Sequence, residues 1–307
     1  MFKSVFCDII FAMNRKLDYK ITENDTGKTI ESFLKEHGYT HQVLVRLKQT
    51  DHGILRNGVW AYTNEKLCKD DLITVCIVEN ERSDNIAPVK LPLDIAYEDD
   101  DIIVINKPFD MPAHPSAGNH DNTLANALMY YYDSQKKPFV YRCINRLDRD
   151  TTGLTIVAKH ALAGGILSNA VAKRAIHRTY YAVCSGCTPE CMRINAPIAR
   201  KDASTIERCV DFERGEYAVT DFIRIKYNPD NNLSLIKLRL LTGRTHQIRV
   251  HMKYIGFPLI GDFLYNPDYT YISRQALHSG RLVFTHPVTG QKMDLRSDIP
   301  SDMKSLF

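Results

Sequence analysis

Strand-like and helical segments follow one another without a fixed rhythm over the larger, C-terminal part of this chain. Short apolar or alternating runs at 102–106, 154–159, 179–184, 219–227 and 233–241 are typical of strands. Helical periodicity occurs at 123–132, 160–176 and 245–256. Because strands and helices do not alternate strictly, the order favours an α+β fold over a doubly wound parallel sheet.

Residues 17–80 carry a separate pattern, that of a small α+β unit. An apolar helical face at residues 30–34 ends near Gly38, a natural helix stop. Thr40 is placed to cap a second helix, and Asn57-Gly58 lies between apolar residues, which is a strong hairpin signal. The unit therefore combines two short helices with a hairpin.

The second predicted helix of this unit is basic. Arg46 and Lys48 flank Leu47 in the sequence, so they should point away from the apolar face. With its helices and hairpin, the unit is similar to the alpha-L type RNA-binding module, a small fold found in a ribosomal protein. The resemblance implies that Arg46 and Lys48 contact RNA. A small α+β domain without a ligand fits the same pattern.

Length and composition fit a globular protein of about two domains. The chain has 307 residues, 44% hydrophobic and 25% charged, and domains usually contain ~100–200 residues. We expect an N-terminal tail at 1–16, the module at 17–80, a polar linker with two prolines at 81–93, and a second domain at 94–307.

Features of export or membrane insertion are absent from the sequence. No run reaches the ~18 apolar residues of a membrane span, and the N-terminal apolar stretch is interrupted by Asp8. Met13 is an alternative start. The net charge of +4 is only a weak indication of a polyanionic partner. We expect a cytoplasmic monomer that does not bind membranes.

Eight cysteines are spread along the chain. They do not indicate a secreted disulfide framework, because the chain is large and no export signal is found. The spacing of Cys184, Cys187 and Cys191 could hold a metal, but a zinc site usually needs four ligands, and no second pair at ligand spacing is present. We therefore expect reduced thiols and no metal.

The stretch at 143–159 places one carboxylate, Asp148, between Arg146 and Arg149, just before an apolar run. A surface salt bridge would explain this arrangement. A catalytic carboxylate kept ionised by basic groups would explain it as well. Residues elsewhere in the chain must therefore distinguish a surface salt bridge from a catalytic carboxylate.

Four more stretches follow a fixed order around this one. They are INKPFDMPAHP (105–115), HRTYYAVCSG (177–186), LTGRTHQIRVHMKYIGFPLIGD (241–262) and RQALHSGRLVFTHPVTG (274–290). Together they resemble the RluA type of pseudouridine synthase, a family that isomerises uridine in structured RNA. The resemblance implies a mixed, mainly antiparallel central sheet flanked by helices, and ribosomal or transfer RNA as the partner.

The resemblance also implies that no cofactor is needed. The reaction breaks the N1–C1′ bond, turns the detached uracil and joins C5 to C1′, without redox change or net hydrolysis. Asp148 matches the catalytic carboxylate, and it could add to the ribose, add to the base, or remove a ribose proton through a glycal. Arg249 matches the distant arginine that keeps the carboxylate charged.

Tyr180 matches the family tyrosine that stacks on the target base, although a core tyrosine would fit the same strand. Tyr181 should face the other side of that strand. Arg146 matches the arginine that fills the gap left by an extruded uridine. Family members usually have His just before this arginine, where this chain has Asn145.

Further basic residues are expected to contact RNA. A basic cluster beside the Tyr180 strand consists of Lys173, Arg174, His177 and Arg178, and it is either a phosphate track or a solvated helix end. Arg244 and His246 belong to the same expected set, and the five-residue spacing of His246 and His251 argues against a zinc pair.

Two other functions fit less well. A non-catalytic RNA-binding or ribosome-assembly factor would not need Asp148, Tyr180 and Arg249 together. A glycosidase would need a pair of separated carboxylates, and Asp150 lies too close to Asp148 on a short loop to serve as that partner.

Overall fold

The computed structural model describes residues 13–116, 118–202 and 206–307. Within them the strands are β1 (Met13–Lys20), β2 (Ile54–Arg56), β3 (Val59–Trp60), β4 (Leu72–Glu79), β5 (Ile95–Glu98), β6 (Ile102–Lys107), β7 (Arg142–Cys143), β8 (Thr152–Ala158), β9 (His177–Ser185), β10 (Cys191–Asn195), β11 (Ile198–Arg200), β12 (Arg208–Val210), β13 (Val219–Asn228), β14 (Leu233–Leu240), β15 (Leu277–Thr285) and β16 (Lys292–Arg296). The α-helices are α1 (Ile30–Glu36), α2 (His41–Gln49), α3 (Leu124–Asp133), α4 (Ala161–Ala172), α5 (Gln247–Tyr254) and α6 (Ser301–Lys304). A 3-10 helix spans Glu23–Asp25.

The N-terminal unit is a four-stranded antiparallel sheet, in the order β1-β4-β2-β3, covered by α1 and α2. Thr29 and Thr40 cap the two helices through their side chains. Asn57 and Gly58 both have positive φ and connect β2 to β3, as the hairpin signal predicts.

The start of this unit differs from the expected boundary. Residues 13–16, which we expected in the tail, belong to β1, and β1 pairs with β4 along its whole length from Met13 opposite Glu79. The segment MNRK is polar and shows no apolar periodicity, so backbone pairing rather than side-chain pattern makes it a strand. The rest of the tail, residues 1–12, lies outside the described residues.

The second sheet is mixed and mainly antiparallel, as expected. Its order is β10-β13-β14-β9-β15-β8-β6-β5, with β16 on β15 and β7 on β8. Among the described pairings of this sheet, only β15 with β8 is parallel. Gly153 has φ +106° there, and a Cβ on it would lie 2.3 Å from the Ser279 carbonyl oxygen, so the two strands approach this closely only because residue 153 is glycine.

Helices cover both faces of this sheet. In β6, Ile102 and Val104 pack in the core that contains α4, whereas Ile103 and Ile105 pack in the core that contains α3. In β9, Tyr180 faces the core beneath α5, and Tyr181 packs on the opposite side, as the two-residue period predicts. The loop between β7 and β8 carries Asp148.

The N-terminal unit is attached to the second sheet by partly buried ion pairs. Arg142 Nη2 donates to Glu79 Oε2 over 2.9 Å, and Glu79 Oε1 accepts the backbone N–H of Ala161. Arg15 donates to Asp101 over 2.7 Å.

The segment predicted as a linker, 81–93, has no helix or strand and packs apolar side chains against the core around α3. Within the described residues, no helix is long and apolar enough to cross a bilayer.

Candidate active site

A buried arginine lies between two carboxylates at the centre of the site. Arg249 Nη1 donates to Asp148 Oδ2 over 2.9 Å. The other edge of the guanidinium donates to Asp262, from Nε over 2.7 Å and from Nη2 over 2.8 Å. Arg249 is 2% exposed and Asp262 is fully buried, whereas the Asp148 side chain is 30% exposed. Asp148 therefore faces solvent while its partner does not.

The turn before α5 puts Arg249 in this position. Gln247 Oε1 accepts from Thr242 Oγ1 over 2.7 Å and from the Arg244 N–H over 2.9 Å, which closes the turn. His246 has φ +57°, and α5 begins at Gln247, two residues after its predicted start near Thr245. The buried glutamine thus fixes the direction of the helix, and Arg249 lies on its inner face.

Charge and aromatic contacts keep Arg249 ionised. Burial alone would lower its pKa, but the hydrogen bonds and charges of Asp262 and Asp148 raise the pKa above its ordinary value. The guanidinium carbon lies 5.4 Å from the Phe263 ring centroid and 5.0 Å from that of Tyr265. A permanent positive charge therefore adjoins Asp148.

A cavity of about 80 Å³ lies above this ion pair, and we name it the catalytic cavity. Asp148, Tyr180 and Arg249 all line it, together with the apolar side chains of Leu277 and Ile248. Tyr180 is only 4% exposed, so it packs in the core and lines the cavity at the same time. The structure thus brings the three residues of the expected catalytic set to one place.

The two oxygens of Asp148 have different surroundings. Oδ2 meets Arg249 and lies 3.8 Å from His246 Nε2. Within the described part of the chain, no donor contacts Oδ1. His246 Nδ1 lies 3.0 Å from the Tyr265 hydroxyl, and burial lowers the pKa of His246, so the imidazole is neutral near pH 7. One carboxylate oxygen is therefore held, and the other is available.

Arg149 does not serve the carboxylate beside it. It forms ion pairs with Asp150 at 3.1 Å and with Asp110 at 3.7 Å, both away from the Asp148–Arg249 contact. Asn145 is buried: its Oδ1 accepts the Ile156 N–H over 2.8 Å. This bond ties the loop between β7 and β8 to β8, at the position where the family expected from the sequence usually has His.

Lys107, from the INKP stretch, is a group near the site that the sequence reasoning did not identify. It is 1% exposed, and its Nζ donates to the backbone oxygens of Pro108 at 2.7 Å and Arg149 at 2.8 Å. Burial lowers its pKa to about 7, against the opposing charges of Asp150 and Asp148. A lysine within the apolar run of β6 was the available signal.

The basic residues expected to bind RNA surround the catalytic cavity unevenly. Arg146 is exposed and lines it, as do Arg178 and Arg244. Arg244 also pairs with Glu216. Arg174 joins Arg146 and Arg178 around an adjoining groove of about 620 Å³. Lys173 is exposed at the end of α4.

The two basic residues of α2 differ in position. Arg46 pairs with Glu81 at 2.8 Å and lines a further groove, together with Arg142 of the second sheet. Lys48 pairs with Glu31 of α1 at 3.1 Å, on the outer surface of the N-terminal unit. Arg46 therefore faces the rest of the molecule more directly than Lys48 does.

In the described part of the chain, one set of three side chains lies close enough to hold a metal: Asp99, Asp101 and His286. These groups already bind one another and their neighbours. His286 Nε2 lies 2.8 Å from Asp99 Oδ2, and Asp101 accepts hydrogen bonds from Arg15 and His160. The set thus forms part of the attachment of the N-terminal unit.

The cysteines of the CSGCTPEC segment are free thiols. Cys184 is buried in β9, where burial raises its pKa, and Cys187 and Cys191 are exposed. Arg224 Nη1 donates to Cys187 Sγ over 2.9 Å. His251, the other histidine of α5, is buried and lies 2.8 Å from both Thr220 Oγ1 and the Ala196 carbonyl, so it is a packing residue.

Comparison with known proteins identifies the family to which this fold and site belong. Residues 101–254 match the family described as RNA pseudouridylate synthase. The uncharacterised RNA pseudouridine synthase YjbO of Bacillus subtilis (strain 168) is 37% identical over 91% of this chain and 98% of its own length. The ribosomal large subunit pseudouridine synthase D of Haemophilus influenzae is 36% identical over 95% of this chain and 94% of its own.

A solved structure agrees with these matches. Human RNA pseudouridylate synthase domain containing 1 superposes with a TM-score of 0.58 at 25% identity, over 67% of this chain and 83% of that one. The chain therefore belongs to the RNA pseudouridine synthase family, the family expected from the sequence. It is an enzyme that isomerises uridine to pseudouridine in RNA.

Proposed function

We propose that this enzyme modifies uridines of ribosomal RNA and that Asp148 is its catalytic carboxylate. The observation that supports the catalytic role is the end-on contact of Arg249 with Asp148 Oδ2, at the base of the cavity that Tyr180 lines. The ribosomal substrate is inferred from relatives such as the Haemophilus influenzae enzyme, whose name assigns it to the large ribosomal subunit.

The geometry supports a division of the catalytic work among three side chains. Asp148 Oδ1 is the oxygen that attacks or removes a proton, because Oδ2 is occupied by Arg249. Arg249 keeps the carboxylate negative in a partly dry cavity. Tyr180 presents its ring to the target base, and stacking of this kind is sequence-tolerant.

Access to the uridine depends on the basic rim of the cavity. A uridine in folded RNA must leave its stack, which costs a few kcal/mol, and the exposed Arg146 is positioned at the cavity to occupy the gap. Arg178, Arg174 and Arg244 extend positive charge along the adjoining groove. We expect affinity for RNA to fall with salt, since phosphate contacts release counterions.

The variant Asp148→Asn tests the catalytic role. It keeps the size of the side chain and an acceptor for Arg249 but removes the negative charge, so we expect pseudouridine formation to be lost while RNA affinity stays near wild type. Site-by-site pseudouridine mapping of cellular RNA, with and without the enzyme, identifies the target. Turnover close to wild type in Asp148→Asn would reject the assignment, and a map showing changes only in transfer RNA would reject the ribosomal substrate.

The N-terminal unit, residues 13–80, is proposed to bind RNA through α2. Deleting residues 1–80 is expected to weaken binding of a long RNA more than it slows turnover of a short one. Deletion also removes Glu79 from Arg142, however, so point variants are cleaner. The double variant Arg46→Ala/Lys48→Ala should weaken binding of the long RNA and leave binding of the short RNA unchanged. An affinity for the long RNA equal to that of wild type would contradict the role.

The matched control for those variants is Lys69→Ala. Lys69 is exposed and paired with Glu23, as the α2 residues are paired with acidic neighbours, but it lies outside α2.

We also propose that the enzyme acts as a cytoplasmic monomer, in keeping with the free thiols of the described cysteines. Light scattering at working concentration would detect a dimer.

A further inference from the structure

A second cavity, of about 510 Å³, adjoins the catalytic cavity, and the chemistry proposed above leaves it unused. The two cavities meet at Asp148, and their shared lining is Arg146, Leu147, Asp148, His246 and Arg249. The other walls of the second cavity include His114, Phe263 and Gln275, and it does not include Tyr180. We name it the flanking cavity. Its volume lies in the range of small-ligand pockets.

Phe263 gives the flanking cavity an aromatic surface. The side chain is 42% exposed, although it directly follows the fully buried Asp262. Two guanidinium groups adjoin its ring, with carbon-to-centroid distances of 5.6 Å for Arg149 and 5.4 Å for Arg249. An accessible ring supported by cations, next to a site that binds RNA, is the kind of surface on which a nucleobase stacks.

Gln275 gives the same cavity an unmet hydrogen-bonding group. It is 1% exposed, and its Nε2 donates to Thr151 Oγ1 over 2.5 Å. Among the residues that the structure describes, none donates a hydrogen bond to its buried Oε1. A buried acceptor left without a donor destabilises the protein, so such groups usually have a functional explanation. An N–H on a base edge would supply the missing donor.

We propose that the flanking cavity binds the base of a second nucleotide of the substrate RNA, which stacks on Phe263 and donates an N–H to Gln275. This inference rests on the proposed function, because it requires an RNA whose target uridine enters the neighbouring cavity. The second nucleotide leaves its stack together with the target. The enzyme then recognises two bases, one by each cavity, and part of its site selection comes from the second.

The test uses a hairpin RNA that carries the mapped target uridine, with one neighbouring nucleotide at a time replaced by an abasic residue. Single-turnover kcat/KM is measured for wild type, Phe263→Ala, Phe263→Tyr and Phe212→Ala. Phe212 is an exposed phenylalanine outside the flanking cavity and serves as the control. We expect Phe263→Ala to lower kcat/KM on the intact hairpin by about 5- to 160-fold, the range of one lost base stack. Phe263→Tyr should restore most of the loss.

The abasic series separates base stacking from any structural effect of Phe263 on Arg249. If the inference holds, one abasic position removes most of the difference between wild type and Phe263→Ala, and the other positions leave it unchanged. A difference that is the same on every abasic hairpin would overturn the inference. Absence of pseudouridine with wild type on any RNA would instead overturn the proposed function, so the two failures are distinguishable.

A second variant tests the hydrogen bond. At the position identified by the abasic series, wild type should prefer a base with an N–H donor over unsubstituted purine, which lacks an exocyclic donor. Gln275→Met has a similar length but no amide, and it should show no such preference. A preference of equal size in wild type and Gln275→Met would exclude Gln275 as the reader of that base.

Discussion

Replacing Asp262 by Asn should disable the enzyme although Asp262 does not line either cavity. The carboxylate accepts both Nε and Nη2 of Arg249, at 2.7 and 2.8 Å, and Oδ1 also accepts the N–H groups of Leu264 and Tyr265. An asparagine keeps one acceptor but turns an NH₂ group toward a donor. Arg249 would then keep one uncharged acceptor at residue 262, and Asp148 would be its remaining carboxylate partner among the described residues.

The expected magnitude follows from burial. Removing one partner of a buried ion pair costs about 3–5 kcal/mol. Because Arg249 keeps its contact with the 30% exposed Asp148, we expect the lower end, about 3 kcal/mol of unfolding free energy. Turnover should fall about 100-fold among folded molecules, which corresponds to ~2.7 kcal/mol of activation free energy, since the guanidinium is no longer fixed.

The measurements are urea unfolding and single-turnover pseudouridine formation. Asp302→Asn is the matched control: Arg274 is equally buried and donates to Asp302 from Nε and Nη2, at 2.8 and 2.9 Å, but Asp302 is 42% exposed. That variant should lose about 1 kcal/mol and keep its turnover. Turnover of Asp262→Asn equal to that of Asp302→Asn would refute the reasoning.

Three further predictions concern ionisable groups away from the reacting atoms. Burial holds the pKa of Lys107 at about 7, below its value in the unfolded chain, so the stability of wild type rises with pH above 7. Measured by urea unfolding, the free energy of unfolding of wild type relative to that of Lys107→Met should therefore increase by up to about 1.4 kcal/mol per pH unit between pH 7 and 9. Burial also lowers the pKa of His278 to about 4, so wild type should lose up to about 3 kcal/mol relative to His278→Gln as the pH falls from 6.5 to 4, and a constant difference would contradict this. Glu79→Gln weakens the buried contact with Arg142 and should cost about 2 kcal/mol in thermal or urea unfolding, with turnover per folded molecule unchanged.

Local patterns predicted the secondary structure best where side chains alone define it. The Asn57-Gly58 hairpin and the Thr40 cap depend on residues next to each other, and both are present. The start of β1 could not be predicted, because MNRK becomes a strand only by pairing with β4, which lies more than fifty residues away along the chain. Residues 81–93 are polar in pattern, yet they pack against α3 through a few separated apolar side chains.

In the candidate site, too, the contacts between residues distant in the sequence could not be predicted from local patterns. Asp148 and Arg249 are 101 residues apart, and only the family resemblance linked them before the structure brought them to 2.9 Å. Asp262 is part of a stretch that carried the resemblance, but no spacing rule connects it with Arg249. Gln275 looked like an ordinary polar residue, because an unmet acceptor is a property of the folded environment.

The two-oxygen contact of Asp262 with Arg249 also determines how Arg249 hydrogen-bonds to Asp148. A guanidinium alone with one carboxylate tends to bind it through two parallel hydrogen bonds, which would occupy both oxygens. Here Nε and Nη2 are directed to Asp262, so only Nη1 reaches Asp148, and it contacts Oδ2 alone. Arginine has the donors for both contacts in one rigid plane, whereas lysine does not. The second carboxylate therefore restricts Arg249 to one oxygen of Asp148, whereas a bidentate pair would occupy both oxygens.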